Sequence, residues 1–287
     1  MGNTASKNAV IFIGGLKDGP HSTPYIRTVA RQLEKAPELN YSMFEIRMRS
    51  SFDGFGTASL ADDVHDISAL VKYLRSIGRE KIVLFGHSTG CQDCMEYTNY
   101  AKYSNSPVDG FILQAPVSDR ESLDVYFPDY QPKIDYADRM IAEGKGDDCL
   151  PNDQSFAMLG APVSANRFHD LFAKGYVDRP PDLPSMQSKL MNLARGADDY
   201  FSSDLDDQTV KKFWGRFSKP VLVLHSEKDE FVPPTIDQAA LNKKFQEASS
   251  FVSPLSGLIP GTGHTVLQEE AREWLAAKVI EFLHTLT

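Results

Sequence analysis

The apolar residues of this chain follow two patterns, short continuous runs and longer stretches with helical spacing. Continuous runs rich in β-branched or aromatic residues predict strands that are buried on both faces. They cover residues 8–13, 82–85, 110–114 and 220–225. Residues 42–49 predict a further strand, and residues 251–258 a weaker one. Because helical stretches separate these strands, the chain predicts an α/β fold with a mostly parallel sheet and helices on both faces.

Polar capping residues indicate where two of the predicted helices begin. Thr23 is a candidate N-cap and Pro24 the first residue of one helix. Ser59 is a candidate cap for a strongly amphipathic helix that carries Asp62 at its third position. We expect Gly78 to end that second helix, because glycine tolerates the left-handed conformation common after a helix.

The last helix is predicted to run from Thr265 to the end of the chain. Thr265 and Gln268 can form a capping box, in which each side chain bonds the backbone N–H of the other residue. Five apolar residues form its expected buried face. They are Leu267, Trp274, Leu275, Val279 and Phe282.

The pattern changes between residues 118 and 218. Apolar strands stop, and short helical stretches broken by prolines and rich in aspartate take their place. This change predicts a helical lid inserted into the sheet domain. The predicted core then comprises residues 1–117 and 219–287, and the predicted lid comprises residues 118–218.

Residues 86–90 carry the main candidate chemistry. Their sequence, GHSTG, matches G-x-S-x-G and lies between a predicted strand and a predicted helix at residues 91–103. Strand, tight turn and helix form the nucleophile elbow of α/β-hydrolases, in which the serine is exposed at the carboxyl end of the sheet. We therefore predict Ser88 as a nucleophile. The alternative is a structural serine in an ordinary turn between a strand and a helix.

A serine hydroxyl needs a positioned base, and the order along α/β-hydrolase chains is serine, acid, histidine. Asp229 lies in a loop just after the strand at residues 220–225, so it is the predicted acid. Glu227 and Glu230 are alternatives in the same loop. Asp119 is a further alternative, because some hydrolases place the acid one strand earlier.

His264 is the predicted base. It lies in a glycine-flanked loop after the last predicted strand and immediately before the last helix. Three other histidines follow Ser88 along the chain. We expect His169 within the lid, His225 in or near the core, and His284 at the surface.

Ester hydrolysis also needs an oxyanion hole, usually made by two backbone N–H groups. The residue after the nucleophile supplies one, which here is Thr89. The loop after the first strand supplies the other, and Leu16 is the expected donor there. Gly15 is the alternative donor in that loop.

Other chemical motifs in the sequence are weaker. Cys91 and Cys94 form C-x-x-C without a second pair, so buried small side chains are expected rather than a zinc or redox site. The paired aspartates at residues 147–148 and 206–207 are expected to be solvated rather than to bind a metal. We therefore expect no metal and no organic cofactor.

Composition limits the remaining classes of function. The 287 residues include 30 basic and 39 acidic ones, and the net charge of −9 argues against a nucleic-acid partner. Three cysteines indicate a reducing, cytoplasmic compartment. No run is long enough to span a membrane. The start MGNTAS fits the myristoylation pattern at Gly2, although an unmodified terminus is favoured, and one acyl chain would give only weak membrane association.

Five segments resemble one known family. They are FIGGLKDG (12–19), SSFDGFGTASL (50–60), FGHSTGCQD (85–93), HSEKDEFVP (225–233) and PGTGHT (260–265). Together they are similar to the fungal fusarinine C esterase family of α/β-hydrolases. The resemblance implies an intracellular serine esterase that cuts the ester bonds of iron-bearing hydroxamate siderophores, cyclic triesters of the fusarinine type. It also places Ser88, Asp229 and His264 on the family's triad positions, and any iron would belong to the substrate.

Two other functions stay open from the sequence alone. The first is a general carboxylesterase or lipase that acts on small or fatty esters. The second is a non-catalytic protein of the same fold that binds a ligand. The oligomeric state is not predicted.

Overall fold

A computed structural model of the chain describes residues 5–127, 129–156, 159–174 and 196–286. Six strands form one sheet in the order β2-β1-β3-β4-β5-β6, and every neighbouring pair is parallel. The strands are β1 (Asn8–Ile13), β2 (Tyr41–Glu45), β3 (Lys81–His87), β4 (Gly110–Gln114), β5 (Val221–Ser226) and β6 (Gly257–Ile259).

Helices connect these strands. Those of the described residues are α1 (Ile26–Lys35), α2 (Leu60–Ser76), α3 (Thr89–Tyr97), α4 (Tyr100–Tyr103), α5 (Asp119–Tyr126), α6 (Gln131–Ala142), α7 (Ala165–Phe172), α8 (Asp207–Trp214), α9 (Gln238–Ala248) and α10 (Glu269–His284). Short 3₁₀ helices lie at Pro37–Leu39 and Phe52–Gly56.

The sheet is buried on both faces, as its continuous apolar strands predict. Alternate residues of β1 belong to different cores: Ile11 packs with α2, α3, α8 and α9, whereas Val10 packs with α1 and α10. Helices therefore cover both faces of the sheet. The fold is the predicted α/β-hydrolase fold, with all six described strands parallel.

Helix α2 begins as predicted. The Ser59 hydroxyl accepts a hydrogen bond from the Asp62 N–H at 3.3 Å, and the Asp62 carboxylate accepts one from the Ser59 N–H at 3.0 Å. This is a complete capping box. Gly78 follows the helix with φ of +87°, a left-handed conformation that favours glycine.

The predicted start of α1 is wrong. The helix begins at Ile26, and Tyr25 precedes it without a side-chain cap. The Thr23 hydroxyl lies two residues before the observed cap position and donates a hydrogen bond to the Asp18 carboxylate at 3.3 Å. The predicted helix at residues 91–103 is also interrupted, because α3 ends at Tyr97 and α4 begins at Tyr100.

The predicted start of the last helix is wrong as well. Helix α10 begins at Glu269, and Gln268 accepts a hydrogen bond from the Thr262 hydroxyl instead of forming a capping box with Thr265. Val266 has φ of +50°, which is incompatible with a helix at that point. Leu267, predicted to be buried, is 60% exposed because it precedes the helix.

Between β4 and β5, the described residues form helices α5 to α8 and no strand; an isolated antiparallel bridge joins Cys149 and Ser164. We call residues 118–218 the insertion. Its helices α5 to α7 surround a separate apolar core that includes Phe55, from the loop after β2. The backbone of that loop also bonds the insertion, because the Ser164 N–H donates to the Gly56 carbonyl at 2.8 Å.

Two predictions fall partly or wholly outside the described residues. The predicted modification site Gly2 lies outside the described residues, and so do residues 175–195 of the predicted lid. Within the described ranges, none of the helices combines the length and the apolar character needed to cross a membrane.

Candidate active site

Ser88 lies in a sharp turn between β3 and α3. Its backbone has φ of 54° and ψ of −123°, a strained conformation for a residue with a side chain. Two glycines make the turn compatible with its neighbours. A Cβ on Gly86 would lie 2.3 Å from the Gly90 carbonyl oxygen, and one on Gly90 would lie 2.3 Å from the Ile13 carbonyl oxygen. The local geometry is therefore that of a nucleophile elbow.

The predicted acid and base lie side by side. Asp229 follows β5 and His264 follows β6, so neighbouring parallel strands bring their loops to the same edge of the sheet. The His264 Nδ1 lies 2.8 Å from Asp229 Oδ2 and 3.0 Å from Oδ1. Both residues are buried, and the Phe231 ring packs edge-on against the imidazole at 4.7 Å between centroids.

The alternative acids have other partners. The Glu230 carboxylate accepts the backbone N–H of His264 at 2.8 Å, and the Glu227 carboxylate accepts the backbone N–H of Gly261 at 2.6 Å. Asp119 accepts a hydrogen bond from Gln92 Nε2 at 2.8 Å. Of the four carboxylates considered, Asp229 is therefore the one that bonds the His264 ring.

Ser88 and His264 line one cavity of about 280 Å³. Its walls come from the loop after β1, from the loops that carry Ser88 and His264, and from the insertion. About half of the lining side chains are apolar, and five are aromatic. These are Tyr126, Phe127, Phe156, Phe172 and Phe231. No hydrogen bond joins Ser88 to His264 within the described residues, and such catalytic contacts are often long before a substrate binds.

The loop after β1 lies directly against the serine. A Cβ on Gly15 would lie 2.7 Å from the Ser88 Cβ, so only glycine fits there. The Gly15 N–H is already bonded to the Asp18 carboxylate at 2.9 Å. The Leu16 N–H has no acceptor in the described part of the chain, which favours it over Gly15 as an oxyanion donor. Thr89 is the first residue of α3, where backbone N–H groups have no intrahelical acceptor.

A buried network below the site was not predicted from the sequence. The Gln114 Oε1 atom lies 2.5 Å from His87 Nδ1 and accepts the Tyr25 hydroxyl at 2.9 Å. The Gln114 Nε2 donates to the Ser226 hydroxyl at 3.1 Å and to the His264 carbonyl at 3.3 Å. Burial lowers the pKa of His87 to about 3, so this histidine stays neutral. The network therefore fixes the backbone of His264 from below.

The other histidines lie apart from the cavity. His225 is buried and its Nδ1 lies 3.2 Å from Asn242 Nδ2, as expected for a core residue. His169 is buried in the insertion with its Nδ1 2.7 Å from Asp138. His284 lies at the surface near Glu38. Cys91 and Cys94 are buried apolar residues of the core, as predicted.

A group of buried charges lies behind the loop after β1. Arg167 of α7 donates to the Phe55 carbonyl at 3.0 Å and pairs with Asp198. Asp63 of α2 and Asp93 of α3 lie close enough to Arg167 for its charge to lower their pKa. Burial has the larger effect and raises the pKa of Asp63 and of Asp198 to about 6. Arg167 thus links the insertion to the two helices beside the elbow.

Comparison with solved structures defines the class of protein. The siderophore hydrolase EstB from Aspergillus fumigatus has a TM-score of 0.76 and 26% identity to this chain, covering 99% of it and 93% of EstB. The chain is accordingly a carboxylic ester hydrolase of the α/β-hydrolase fold.

Sequence comparison then gives the family. A family model described as "Protein of unknown function (DUF1749)" matches residues 1–284. A UPF0613 protein of Schizosaccharomyces pombe is 33% identical over 99% of this chain and 89% of its own length. Fusarinine C esterase sidJ of Aspergillus fumigatus is 28% identical over 99% of this chain and 90% of its own length. The chain belongs to the DUF1749 family, and its predicted resemblance to fusarinine C esterases is confirmed.

Proposed function

We propose that the protein is a serine esterase that hydrolyses ester bonds of hydroxamate siderophores and so releases intracellular iron. The observation that carries the catalytic part is the pair of buried side chains Asp229 and His264, 2.8 Å apart, of which His264 lines the same cavity as Ser88. The siderophore part is supported by two similar proteins, which are named a fusarinine C esterase and a siderophore hydrolase. The expected substrate is a ferric triester of the fusarinine type.

The first half of the reaction forms an acyl-enzyme. His264 accepts the Ser88 proton while the serine oxygen attacks the ester carbonyl carbon, giving a tetrahedral oxyanion. The N–H groups of Leu16 and Thr89 donate to that oxyanion. The carbon–oxygen bond to the alcohol then breaks, and the imidazolium of His264 returns the proton to the departing alkoxide.

The second half regenerates the serine. A water molecule loses a proton to His264 and attacks the acyl carbon. As the second oxyanion collapses, the bond from the acyl carbon to the Ser88 oxygen breaks, and His264 gives its proton to that oxygen, which releases the carboxylic acid. Asp229 bonds the imidazole Nδ1, so it holds the tautomer that presents Nε2 and stabilises the imidazolium. These steps use side chains and backbone groups of the chain itself, with the ferric ion carried by the substrate.

Mass spectrometry of ferric fusarinine C after incubation with the protein tests this proposal. Linear trimers, dimers and monomers should appear with the wild-type protein and not with Ser88→Ala, because the variant lacks the attacking oxygen. A fluorophosphonate probe should label Ser88 in the wild type. Cleavage by Ser88→Ala at the wild-type rate would exclude the proposed nucleophile.

A general carboxylesterase or lipase is the second candidate, because leucine, valine and five aromatic side chains line the cavity. Its test uses the same two proteins and a set of simple aryl and fatty-acid esters. Turnover of those esters, without cleavage of the ferric triester, would favour this candidate over siderophore hydrolysis. Absence of both activities and of probe labelling would favour a non-catalytic binder.

A further inference from the structure

Asp119 lies in the cavity that contains Ser88 and His264. It is the first residue of α5, and its side chain is partly exposed to the cavity. One carboxylate oxygen, Oδ2, accepts a hydrogen bond from Gln92 Nε2 at 2.8 Å. None of the ion pairs found among the described residues includes Asp119. The cavity therefore contains a carboxylate that no protein cation neutralises within the described ranges.

The charged groups near Asp119 do not offset the negative charge of its ionised form. Arg167, whose charge lowers the pKa of Asp119, is already engaged by Asp198 and the Phe55 carbonyl and does not line this cavity. Burial and the charge of Asp198 outweigh it, and the pKa of Asp119 rises to about 7. A cation entering the cavity would offset the cost of ionising this carboxylate.

The other polar groups of the cavity do not supply that cation. Lys17 lies on its lining but forms no ion pair with Asp119 in the described structure. The remaining carboxylate of the lining, Asp18, is held by the Gly15 N–H and the Thr23 hydroxyl. Asp119 accepts one side-chain hydrogen bond, from Gln92, and within the described structure its other carboxylate oxygen is available to a ligand.

The aromatic lining suits the same kind of ligand. Five aromatic side chains border the cavity, among them Tyr126 and Phe127 on the turns that follow Asp119. Aromatic faces attract organic cations, most strongly where water is excluded. A carboxylate and several aromatic rings around one cavity form a site that favours an ammonium group over a neutral group of equal size.

We infer that Asp119 is a specificity-determining residue, which binds an organic ammonium group of the ester while the scissile carbonyl lies at Ser88. This inference rests on the proposed esterase activity of the same cavity. It assigns to the preferred substrates a positive charge close to the ester bond. Asp119 is not assigned to proton transfer, which is the proposed role of His264 with Asp229.

The test compares two esters of the same shape that differ by one charge, butyrylcholine and 3,3-dimethylbutyl butyrate. The ratio of kcat/KM for the charged to the neutral ester is measured in the wild type, in Asp119→Asn and in Asp124→Asn. Asp124 is exposed on the same helix, outside the cavity lining, so its variant removes an equal charge without altering the site. The ratio should fall roughly tenfold in Asp119→Asn and stay within about twofold in Asp124→Asn.

Because the ratio is taken within each variant, a general loss of activity or stability cancels. An unchanged ratio in Asp119→Asn, with both esters still hydrolysed by the wild type and not by Ser88→Ala, would overturn the inference and leave the esterase proposal intact. An equal fall of the ratio in Asp124→Asn would also overturn it, because the effect would then be that of distant charge.

A binding measurement decides the inference even if neither ester is hydrolysed. Calorimetric titration of the Ser88→Ala protein with each ester should give a lower Kd for butyrylcholine, and further replacement of Asp119 by Asn should abolish that difference. Equal affinity of the Ser88→Ala protein for both esters would overturn the role of Asp119. Failure of the wild type to react with a fluorophosphonate would instead count against the proposed function.

Discussion

Three carboxylates in the loop after β5 hold three different parts of the His264 loop. Asp229 bonds the imidazole, Glu230 bonds the His264 backbone N–H, and Glu227 bonds the Gly261 backbone N–H. The sequence could place an acid in this loop because the loop follows a buried strand. It could not show the direction of each side chain in the turn, and so the supporting roles of the two glutamates were not predicted.

Replacement of these residues should separate the proposed acid from its neighbours. Asp229→Asn should lower kcat by about 10³-fold or more, because asparagine favours the wrong imidazole tautomer. Glu230→Gln should lower kcat by about tenfold or less, since the amide oxygen can still accept the His264 N–H. The measurement is kcat on one ester, with circular dichroism to check folding. A larger loss in Glu230→Gln than in Asp229→Asn would contradict the assignment.

His87 shows a second limit of what the sequence can predict at the scale of residues. It is part of GHSTG, yet its position in the motif does not indicate its partners. Gln114 comes from the next strand and Tyr25 precedes α1, so the network forms only when distant elements pack. A lone sequence gives no means of pairing these residues.

At the scale of elements, strands were easier to predict than helix ends. Buried parallel strands are continuous apolar runs, and β1 and β4 have the predicted bounds. The start of a helix depends on the hydrogen-bond partner of the polar side chain that precedes it. Ser59 bonds its own helix, whereas Thr23 bonds Asp18 and Gln268 bonds Thr262, both outside the helices in question. These partners lie in the adjoining loops, and the apolar spacing of a helix does not indicate them.

The elbow gives a prediction at the same scale. Gly90→Ala should reduce the free energy of unfolding by about 2 kcal/mol or more and greatly lower activity, because its Cβ would lie 2.3 Å from the Ile13 carbonyl oxygen. Gly257→Ala is the control, since a Cβ there meets no atom within 4 Å. Urea denaturation and fluorophosphonate labelling measure the two effects. Equal behaviour of both variants would show that α3 can move away from β1.

At the scale of the whole molecule, the sequence predicted the two-sided sheet, while the division into a core and a lid at residues 117 and 218 stays a prediction. Helices α5 to α7 of the insertion have their own apolar core, whereas α8 packs in the core of the sheet domain. Phe55 and the charges around Arg167 also join the insertion to the sheet domain. These contacts join residues more than a hundred positions apart. The sequence indicated the change from apolar strands to short helices in this region, but not the contacts that join the insertion to the sheet domain.

The buried charges predict a pH-dependent stability. Burial raises the pKa of Asp63 from 3.8 to about 6 in the folded state, so the native state binds more protons than the unfolded state between these values. The stability that this group contributes is present below pH 4 and is lost as the pH rises through 6. Asp63→Asn carries no such titration. Its stability relative to the wild type should therefore increase by roughly 1 kcal/mol from pH 5 to pH 8.

Urea denaturation at the two pH values measures this difference. Asp66→Asn is a matched control on the same helix, because Arg49 holds the pKa of Asp66 below its ordinary value. The stability contributed by Asp66 is fully present at both pH values, so its variant should lose the same free energy at each. A constant difference for Asp63→Asn as well would mean that its carboxyl titrates alike in the folded and unfolded chains.

Leu16 belongs to two structures at once. Its side chain packs against the core of the insertion, and its N–H is the donor proposed for the oxyanion. The insertion therefore cannot be replaced without affecting the proposed oxyanion donor. Grafting the insertion of another hydrolase onto this sheet would remove the surface against which Leu16 rests, and a backbone donor displaced by a fraction of an ångström stabilises the oxyanion less well. Active chimaeras in this family should therefore take the loop after β1 and the insertion from the same parent protein.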